Sequence, residues 1–479
     1  MKRKKISKQI FYVCFILIII SIFSCNGRTD QKENQTQQKL ISISDNFIEP
    51  PEETKKILNG MNIVLGNWWR DYNTSTFQPK NDSEEKRLEY RKWLLKEYEF
   101  SMQEKNIGGW GEITQLAITS IMAGKPAATV FQLQPDWALS LYRQNLLYPV
   151  SDSAIMDMTV SEPVPWNKQV ASAFTFNNKS YAFFVGNSLS SGAIFWNKRL
   201  FSEAGLDPNL PYDLQKDGTW TWDKFLEISI QLTRDINNDG IIDIYAMPSD
   251  FSVDILDILV SSNGAMYIDR DENGILVNAS NRPEFIEAIR FYMRLRDEGV
   301  MKPKPEGIHW DWFGPEFMNG NVAMRMARQH IHGDLRTMRD DWGMVLPPKG
   351  PRAKNYVVFN SENVMVIPAR GFSKEQIDAI LWAVRAWETP IDEDWRMGYY
   401  PNFRDRRAVD ETIAMMLDQD LMQWRHHTQV PGFSTSGIAW ELWNHDGEPA
   451  QLVESVSQQW NALIEDANKL REPLKTIQK

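Results

Sequence analysis

Short apolar runs alternate with amphipathic segments along the chain, and their order predicts a sheet covered by helices. The predicted elements in chain order are a strand over 61–66, a helix from Ser83 to about Lys96, a strand over 98–103, a helix over 113–123 and a strand over 127–133. Short apolar runs predict the strands, and charged amphipathic segments predict the helices. The alternation of strands with helices is typical of an α/β domain with a parallel sheet.

Polar and aromatic side chains follow each of these strands. The predicted ligand contacts among them are Asn67, Trp68, Trp69, Asn106, Trp110, Gln134, Asp136 and Trp137. In open parallel sheets, ligands gather at the carboxyl ends of the strands. Sugars present apolar C–H faces and a rim of hydroxyls, which flat aromatic rings and planar amides or carboxylates can bind. The loops therefore supply groups of the kind that a sugar site needs, and packing inside the protein is the alternative for each tryptophan.

The second half of the chain continues this pattern. The turn 271–274 predicts a hairpin, and Pro283 opens a helix with apolar residues at helical spacing. Beyond this helix, the stretch 309–312 (HWDW) combines aromatic rings with a carboxylate. It adds Trp310 and Trp312 to the predicted ligand contacts.

The N-terminus predicts export. A basic start and an apolar run that ends at Ser24 are typical of a secretory signal peptide over residues 1–24. The stretch 22–25 (IFSC) resembles a bacterial lipobox, in which Cys25 would carry the lipid, and an uncleaved anchor helix is the alternative. We expect residues 25–56 to contain the lipidated cysteine and a flexible polar tether. We expect a lipid-anchored protein of the cell envelope, on the periplasmic or the outer surface of a membrane.

Charge and cysteine content exclude several classes of protein. The net charge is −10, and no basic cluster follows the signal, which argues against nucleic acid as a partner. The two cysteines, Cys14 and Cys25, lie within the signal or at its end, so the body has no thiolate for catalysis or zinc. Phosphate-loop and hydrolase motifs are absent from the sequence, and no organic cofactor is predicted.

The stretch 235–243 (DINNDGIID) places oxygen ligands on alternate residues around a glycine, which predicts a calcium loop. The predicted ligands are Asp235, Asn237, Asp239, the carbonyl of Ile241, and Asp243. Ala246 stands at the twelfth place, where a calcium sensor has a bidentate glutamate, so a structural ion is favoured. A solvated turn rich in Asp and Asn is the alternative.

Five segments resemble, in order, the extracellular solute-binding proteins of carbohydrate ABC transporters, the group that includes maltose-binding proteins. They are AIFWNKRLFSEAGLDP (193–208), TWTWDKFLEISIQLTRD (219–235), LVSSNGAMYID (259–269), FMNGNVAM (317–324) and WGMVLPPKGP (342–351). The resemblance covers roughly residues 60–390. The segment 181–188 (YAFFVGNS) resembles the family's hinge segment that faces the ligand, which adds Asn187 to the predicted contacts.

This resemblance implies a periplasmic-binding-protein-like α/β fold of type II, in which a hinge joins two α/β lobes and the ligand cleft lies between them. It implies a first lobe of residues 57–170 plus 308–350 and a second lobe of residues 171–307 plus 351–479. Members of the family close on a solute and deliver it to an ABC permease. The expected partners are therefore a mono- or oligosaccharide, the permease subunits and the membrane, and the chain is expected to be a monomer.

Two other functions stay open on the sequence alone. An envelope-anchored glycosidase would need two carboxylates about 5 to 9 Å apart, and no motif marks such a pair. A receptor that feeds a sensor kinase would use the same fold and the same cleft. Turnover of oligosaccharides separates the enzyme from a binding protein.

Overall fold

The computed structural model describes residues 49–159, 164–186, 191–249, 253–307, 312–359, 363–392, 394–444 and 448–469. These residues form two α/β lobes with separate hydrophobic cores. Two apolar clusters, one on each face of a four-stranded sheet, form the core of the first lobe. A third and larger cluster forms the core of the second lobe.

The first lobe contains the predicted parallel sheet. Its strands, in spatial order, are Val364–Val366, Val130–Leu133, Asn62–Asn67 and Ser101–Asn106, and Val364–Val366 alone among them runs antiparallel to its neighbour. Its helices are Glu52–Leu58, Asp82–Glu97, Ile113–Met122, Pro135–Arg143, Lys168–Ala173 and Lys374–Trp387. A 3₁₀ turn at Val150–Asp152 and the small hairpin Thr175–Phe176 with Lys179–Ser180 complete the lobe.

The second lobe is built on an antiparallel sheet in the order Met324–Arg328, Gly192–Asn197, Trp342–Val345. Its α-helices are Lys198–Glu203, Leu210–Lys216, Trp222–Leu232, Val253–Ser262, Pro283–Asp297, Phe313–Met318, Ala414–Met416, Ser436–Asn444 and Pro449–Lys469. Short strand pairs join Met247–Pro248 to Met301–Lys302, Ile268–Arg270 to Leu276–Asn278, and Val358–Phe359 to Met422–Gln423. The 3₁₀ helices are Gln329–Thr337, Trp395–Gly398, Tyr400–Asn402, Gln419–Leu421 and His426–Gln429, and Ala408–Ile413 is a short π-helix.

The predicted elements of the first half are confirmed, and their ends shift by a few residues. The helix predicted from Ser83 begins at Asp82, because Asn81 caps it: the Asn81 side chain accepts the backbone N–H of Glu84. The strand expected over 98–103 lies at Ser101–Asn106, after Glu99 turns the chain at a positive φ of 51°. The predicted hairpin turn and the helix opened by Pro283 are also present.

The structure divides the chain between the lobes differently from the division that the resemblance implied. Residues 324–328 and 342–345, expected in the first lobe, pair with the strand Gly192–Asn197 of the second lobe. Residues 364–366 and 374–387, expected in the second lobe, pair and pack in the first. Local apolar patterns specify a strand but not the distant strand with which it pairs, so the crossings could not be placed from them.

Residues 171–185 also differ from the expected division. They include the end of the helix Lys168–Ala173 and the buried Phe183, which pack into the first lobe although 171–307 was assigned to the second. The described chain crosses between the lobes between 186 and 191, between 359 and 363, and after residue 387.

A buried ion pair anchors the helix Lys374–Trp387 to the first sheet. The Arg91 guanidinium lies over the ring of Trp387 at 4.1 Å and over the ring of Tyr72 at 4.9 Å. It lies 3.8 Å from the carboxylate of Glu104, which also accepts a 2.6 Å hydrogen bond from Arg70 Nε. Arg91 and Glu104 are both buried. The pair therefore joins the sheet, the helix and the loop after the first strand.

Replacing Glu104 with alanine tests this anchor. Glu104→Ala would leave the buried Arg91 with only the partly exposed carboxylate of Glu388, at 3.7 Å. We therefore expect the variant to lower the free energy of unfolding by about 3 kcal/mol, the lower end of the cost of breaking a buried ion pair. Chemical denaturation measures this change. The control is Glu227→Ala, which removes an exposed ion pair with Lys224 and should have little effect. Equal, small losses in both variants would contradict a stabilising role for the anchor.

Candidate cleft between the lobes

A cleft of about 740 Å³ lies between the two lobes, within the range of about 300–1,000 Å³ that is usual for small-molecule sites. The first-lobe residues that line it are Trp68, Trp69, Trp110, Gln134, Pro135 and Asp136. The second-lobe residues that line it are Asp254, Asp257, Arg328, His330, Arg425, His427, Thr428, Val430, Phe433, Ser434, Thr435 and Ser436. Asn363, at the second crossing, completes the lining. One wall is thus mainly aromatic, and the other is mainly charged and polar.

The aromatic wall is a cluster of four tryptophans at the carboxyl edge of the first sheet. The Trp68 ring is at its centre, with ring centroids 4.6 Å from Trp69, 5.5 Å from Trp110 and 4.9 Å from Trp137. All three pairs meet edge to face, the arrangement that aromatic quadrupoles favour. Trp69 and Trp110 remain 42% and 58% exposed. Their rings are therefore held by neighbours and yet open to a ligand.

The predicted asparagine contacts have structural roles in these loops. Asn67 is buried, and its Oδ1 accepts the backbone N–H groups of Trp69 and Arg70, both at 2.9 Å. This bond pair turns the chain as the strand ends. Asn106 is exposed, and its side chain accepts the N–H of Gly108 and donates to the Trp68 carbonyl. Both residues shape the loops, and neither is among the residues that line the cleft.

Two predicted tryptophans lie behind the cleft surface. Trp137 packs on Trp68 and on Trp110, at 4.9 Å from each, and supports the aromatic wall. Trp312 is buried at the start of the helix Phe313–Met318 and does not line the cleft either. Asn187, Trp310 and Cys25 lie outside the described residues.

Asp136 is the carboxylate of the aromatic wall. It lies in the first turn of the helix Pro135–Arg143, directly after the strand Val130–Leu133. Burial raises the pKa of Asp136 from 3.8 to about 6, and backbone hydrogen bonds in the first helical turn partly oppose this rise. Asp136 can therefore exchange between an acceptor and a donor of hydrogen bonds in weak acid.

The charged wall is a network of two arginines and two aspartates. Asp257 accepts hydrogen bonds from Arg328 Nη2 at 2.8 Å and from Arg425 Nη1 at 3.3 Å. Arg328 Nε donates to Asp254 at 2.8 Å. Both guanidinium groups lie over the ring of Phe359, at 4.9 and 4.8 Å. Because the charges balance, the wall presents hydrogen-bonding groups without a strong field of one sign.

None of the four network residues was predicted as a ligand contact from the sequence. Asp254 and Asp257 are three residues apart on the otherwise apolar helix Val253–Ser262, and this spacing was the available signal. Arg328 ends a strand and Arg425 follows another, more than 90 residues later. Local patterns do not indicate that these side chains meet.

The acidic loop 235–243 folds around its own backbone. Asp235 accepts the N–H of Gly240 at 2.8 Å, Asp239 accepts that of Ile241 at 2.8 Å, and Asp243 accepts that of Ile236 at 2.7 Å. Among the described residues, no three Asp, Glu, His or Cys side chains converge as a metal cluster. One oxygen, Asp235 Oδ1, is nevertheless buried without a hydrogen-bond partner.

Two lobes, three crossings and a lined cleft define a periplasmic-binding-protein-like fold of type II. The model of the bacterial extracellular solute-binding protein family matches residues 94–395, which is more than half of the chain. The chain therefore belongs to the bacterial extracellular solute-binding proteins. The predicted family is confirmed, and the function is that of an exported binding protein rather than an enzyme. In the part of the chain that the structure describes, no helix has both the length and the apolar character needed to cross a membrane.

Solved structures share this fold at low sequence identity. The cyclic alpha-maltosyl-1,6-maltose binding protein from Arthrobacter globiformis has a TM-score of 0.60 and 15% identity, over 85% of this chain and 100% of its own. UgpB from Mycobacterium tuberculosis, in complex with glycerophosphocholine, has a TM-score of 0.59 and 14% identity, over 85% of this chain and 99% of its own. Lmo0181 from Listeria monocytogenes, in complex with cycloalternan, has a TM-score of 0.57 and 16% identity, over 86% of this chain and 99% of its own. No curated protein matches the chain.

The raised pKa of Asp136 predicts a pH dependence of stability. Between about pH 4 and pH 6 the folded chain binds more protons than the unfolded chain, so the free energy of unfolding falls as the pH rises through this window. We expect Asp136→Asn to remove this fall and to stabilise the protein above pH 6. A tenfold difference in the proton affinity of one carboxyl corresponds to about 1.4 kcal/mol. Because Asp136 is only partly buried, the gain should be on the order of 1–2 kcal/mol.

Denaturation of both proteins from pH 4 to pH 8 measures this effect. Asp223→Asn is the control, since Asp223 is the second residue of another helix, Trp222–Leu232, and its side chain is 92% exposed. Its pH profile should match that of the wild type. If Asp136→Asn also matches the wild type, the carboxylate is not desolvated as described.

Proposed function

We propose that the protein binds a carbohydrate in the interlobe cleft and delivers it to an ABC permease. The exposed rings of Trp69 and Trp110 in this cleft carry the proposal, because they offer flat apolar surfaces opposite a polar wall. Stacking of C–H faces on these rings, with hydrogen bonds from Gln134, Asp136 and the arginine–aspartate network, is the chemistry that a sugar needs. One structural relative was solved in complex with cycloalternan and another is a cyclic alpha-maltosyl-1,6-maltose binding protein, which is consistent with this ligand class.

Closure of the lobes would couple binding to delivery. A ligand that contacts both walls binds the closed arrangement more tightly than the open one, and it shifts the population toward the closed form. The permease then has a distinct shape to recognise. We further propose that Cys25 carries a lipid and that the residues before the first-lobe helix Glu52–Leu58 tether a monomeric chain to the membrane. Residues 52–56, expected in the tether, lie instead in this helix, because its apolar face packs into the first-lobe core. A receptor for a sensor kinase would use the same closure, and coupling to transport distinguishes the two.

Truncation of the two exposed rings tests the ligand class. We expect Trp69→Ala and Trp110→Ala to weaken saccharide binding by about 1–3 kcal/mol each, the scale of burying a large apolar side chain. They should lower stability less than they lower affinity, since about half of each ring is exposed. Trp440→Ala, which removes a ring that is 49% exposed outside the cleft, is the control and should bind like the wild type.

The measurement is titration calorimetry with the saccharide that most raises the melting temperature in a panel of neutral and acidic mono- and oligosaccharides. Ligand at about 100 times its dissociation constant stabilises by about 2.7 kcal/mol, which is visible in such a panel. Glycerophosphocholine belongs in the panel because one structural relative is a complex with it. Binding of that compound alone, with no saccharide bound, would contradict the proposed ligand class.

We also propose that the loop 235–243 holds a structural calcium ion. The unpartnered, buried Asp235 Oδ1 supports this, because a buried carboxylate oxygen is costly unless a hydrogen bond or a cation satisfies it. Asp235, Asp239 and Asp243 each use one carboxylate oxygen for a loop amide. The proposal requires their second oxygens to turn toward one shared cation when it binds. Asn237 and the Ile241 carbonyl would complete an oxygen set suited to calcium.

Calcium should therefore raise the melting temperature of the wild type, because it binds only the folded loop. Asp235→Asn should abolish this rise and leave saccharide affinity unchanged, since no residue of the loop lines the cleft. Asp271→Asn, in the hairpin turn of the same lobe, is the control and should keep the calcium response. An identical melting temperature of the wild type in calcium and in chelator would rule out the ion.

A further inference from the structure

The side chain of Gln429 contacts both lobes. Its Nε2 donates a 2.8 Å hydrogen bond to the carbonyl oxygen of Ala173, at the end of a first-lobe helix. Its Oε1 accepts a 3.3 Å hydrogen bond from Arg270 Nη2, at the end of a second-lobe strand. A carbonyl can only accept and a guanidinium can only donate, so these two partners fix the orientation of the amide. Gln429 is 1% exposed.

The chain around Gln429 contacts both hydrophobic cores within a few residues. Met422–Gln423 pairs with Val358–Phe359, the last described strand before the second crossing. Trp424 packs against the first-lobe core. Val430 is fully buried in the second-lobe core. We call residues 422–430 the bridge segment, because it is packed against both lobes.

The bridge segment also carries side chains that line the cleft. Arg425, His427 and Thr428 are among the lining residues, and Arg425 belongs to the network around Asp257. The turn His426–Gln429 packs between the helix that bears Asp136 and the strand Ile268–Arg270. A change in the position of Gln429 would therefore move the polar wall relative to the tryptophan wall.

We propose that Gln429 is a positioning residue that sets the relative orientation of the two lobes. Its amide holds the bridge segment against Ala173 on one side and Arg270 on the other. A neutral amide suits this role, because it can donate to one lobe and accept from the other at once. This inference rests on the lobe arrangement and holds whatever solute the cleft binds.

The test is the distance between spin labels on the two lobes of the ligand-free full chain. Labels at the exposed positions Lys125→Cys and Glu272→Cys are specific once Cys14 and Cys25, the two native cysteines, are replaced by serine. We expect one narrow distribution of label distances for the labelled protein that keeps Gln429. Gln429→Met keeps the volume and loses both hydrogen bonds, so its distribution should be broader or shifted.

A second variant separates the two bonds. Gln429→Glu keeps an acceptor for Arg270, with which it can form an ion pair, but it cannot donate to the Ala173 carbonyl. It retains its link to the second lobe alone, so we expect the chain to fold and the distance distribution to change as in Gln429→Met. Near-ultraviolet circular dichroism confirms that the lobes of each variant are folded.

Gln215 provides a matched control within one lobe. It is 3% exposed, donates to Thr412 Oγ1 at 3.0 Å and accepts the N–H of Leu346 at 2.7 Å, all in the second lobe. Gln215→Met should lower the melting temperature and leave the distance distribution unchanged. If Gln429→Met and Gln429→Glu also lower only the melting temperature, Gln429 is a packing residue and the inference is overturned.

Discussion

The cleft depends on the two hydrogen bonds that the buried Asn67 side chain accepts from Trp69 and Arg70. If the strand Asn62–Asn67 continued straight, Trp68 and Trp69 would lie away from the edge of the sheet. The Asn67 amide bends the chain instead, so that Trp68 enters the aromatic cluster and Trp69 lies open at the cleft. Arg70 turns back to Glu104, which connects this loop to the buried Arg91. A polar side chain without access to solvent thus determines where the aromatic surface stands.

The two walls of the cleft differ in how they are built. Local strand-to-loop geometry makes the aromatic wall, because three parallel strands end at one edge and each delivers its loop there. The charged wall needs three distant segments, which supply Asp257, Arg328 and Arg425. These charges are buried and paired, so their cost of desolvation is offset only while the network is complete. The charged wall therefore depends on long-range packing within the second lobe, whereas the aromatic wall depends on local loop geometry.

The sequence allowed a prediction of the family, the α/β class and most of the aromatic wall. Helical and strand periods and strand-end loops are local, and they placed Trp68, Trp69, Trp110 and Asp136 at one sheet edge. The same reasoning assigned Asn67 a ligand contact, because it cannot distinguish a solvent-facing amide from one that accepts backbone N–H groups. The lobe division failed at 324–328 and 364–366, where long-range strand pairing decides membership. The arginine–aspartate network was missed for the same reason.

The proposed function requires the cleft to close on a saccharide held between the two walls. Small-angle X-ray scattering of the chain, with and without a saturating saccharide, measures this closure. We expect the radius of gyration to fall on saturation, and we expect the double variant Trp69→Ala/Trp110→Ala to need a higher saccharide concentration for the same fall. Saturable binding with an unchanged radius of gyration would contradict closure, and absence of binding across neutral and acidic saccharides would contradict the ligand class.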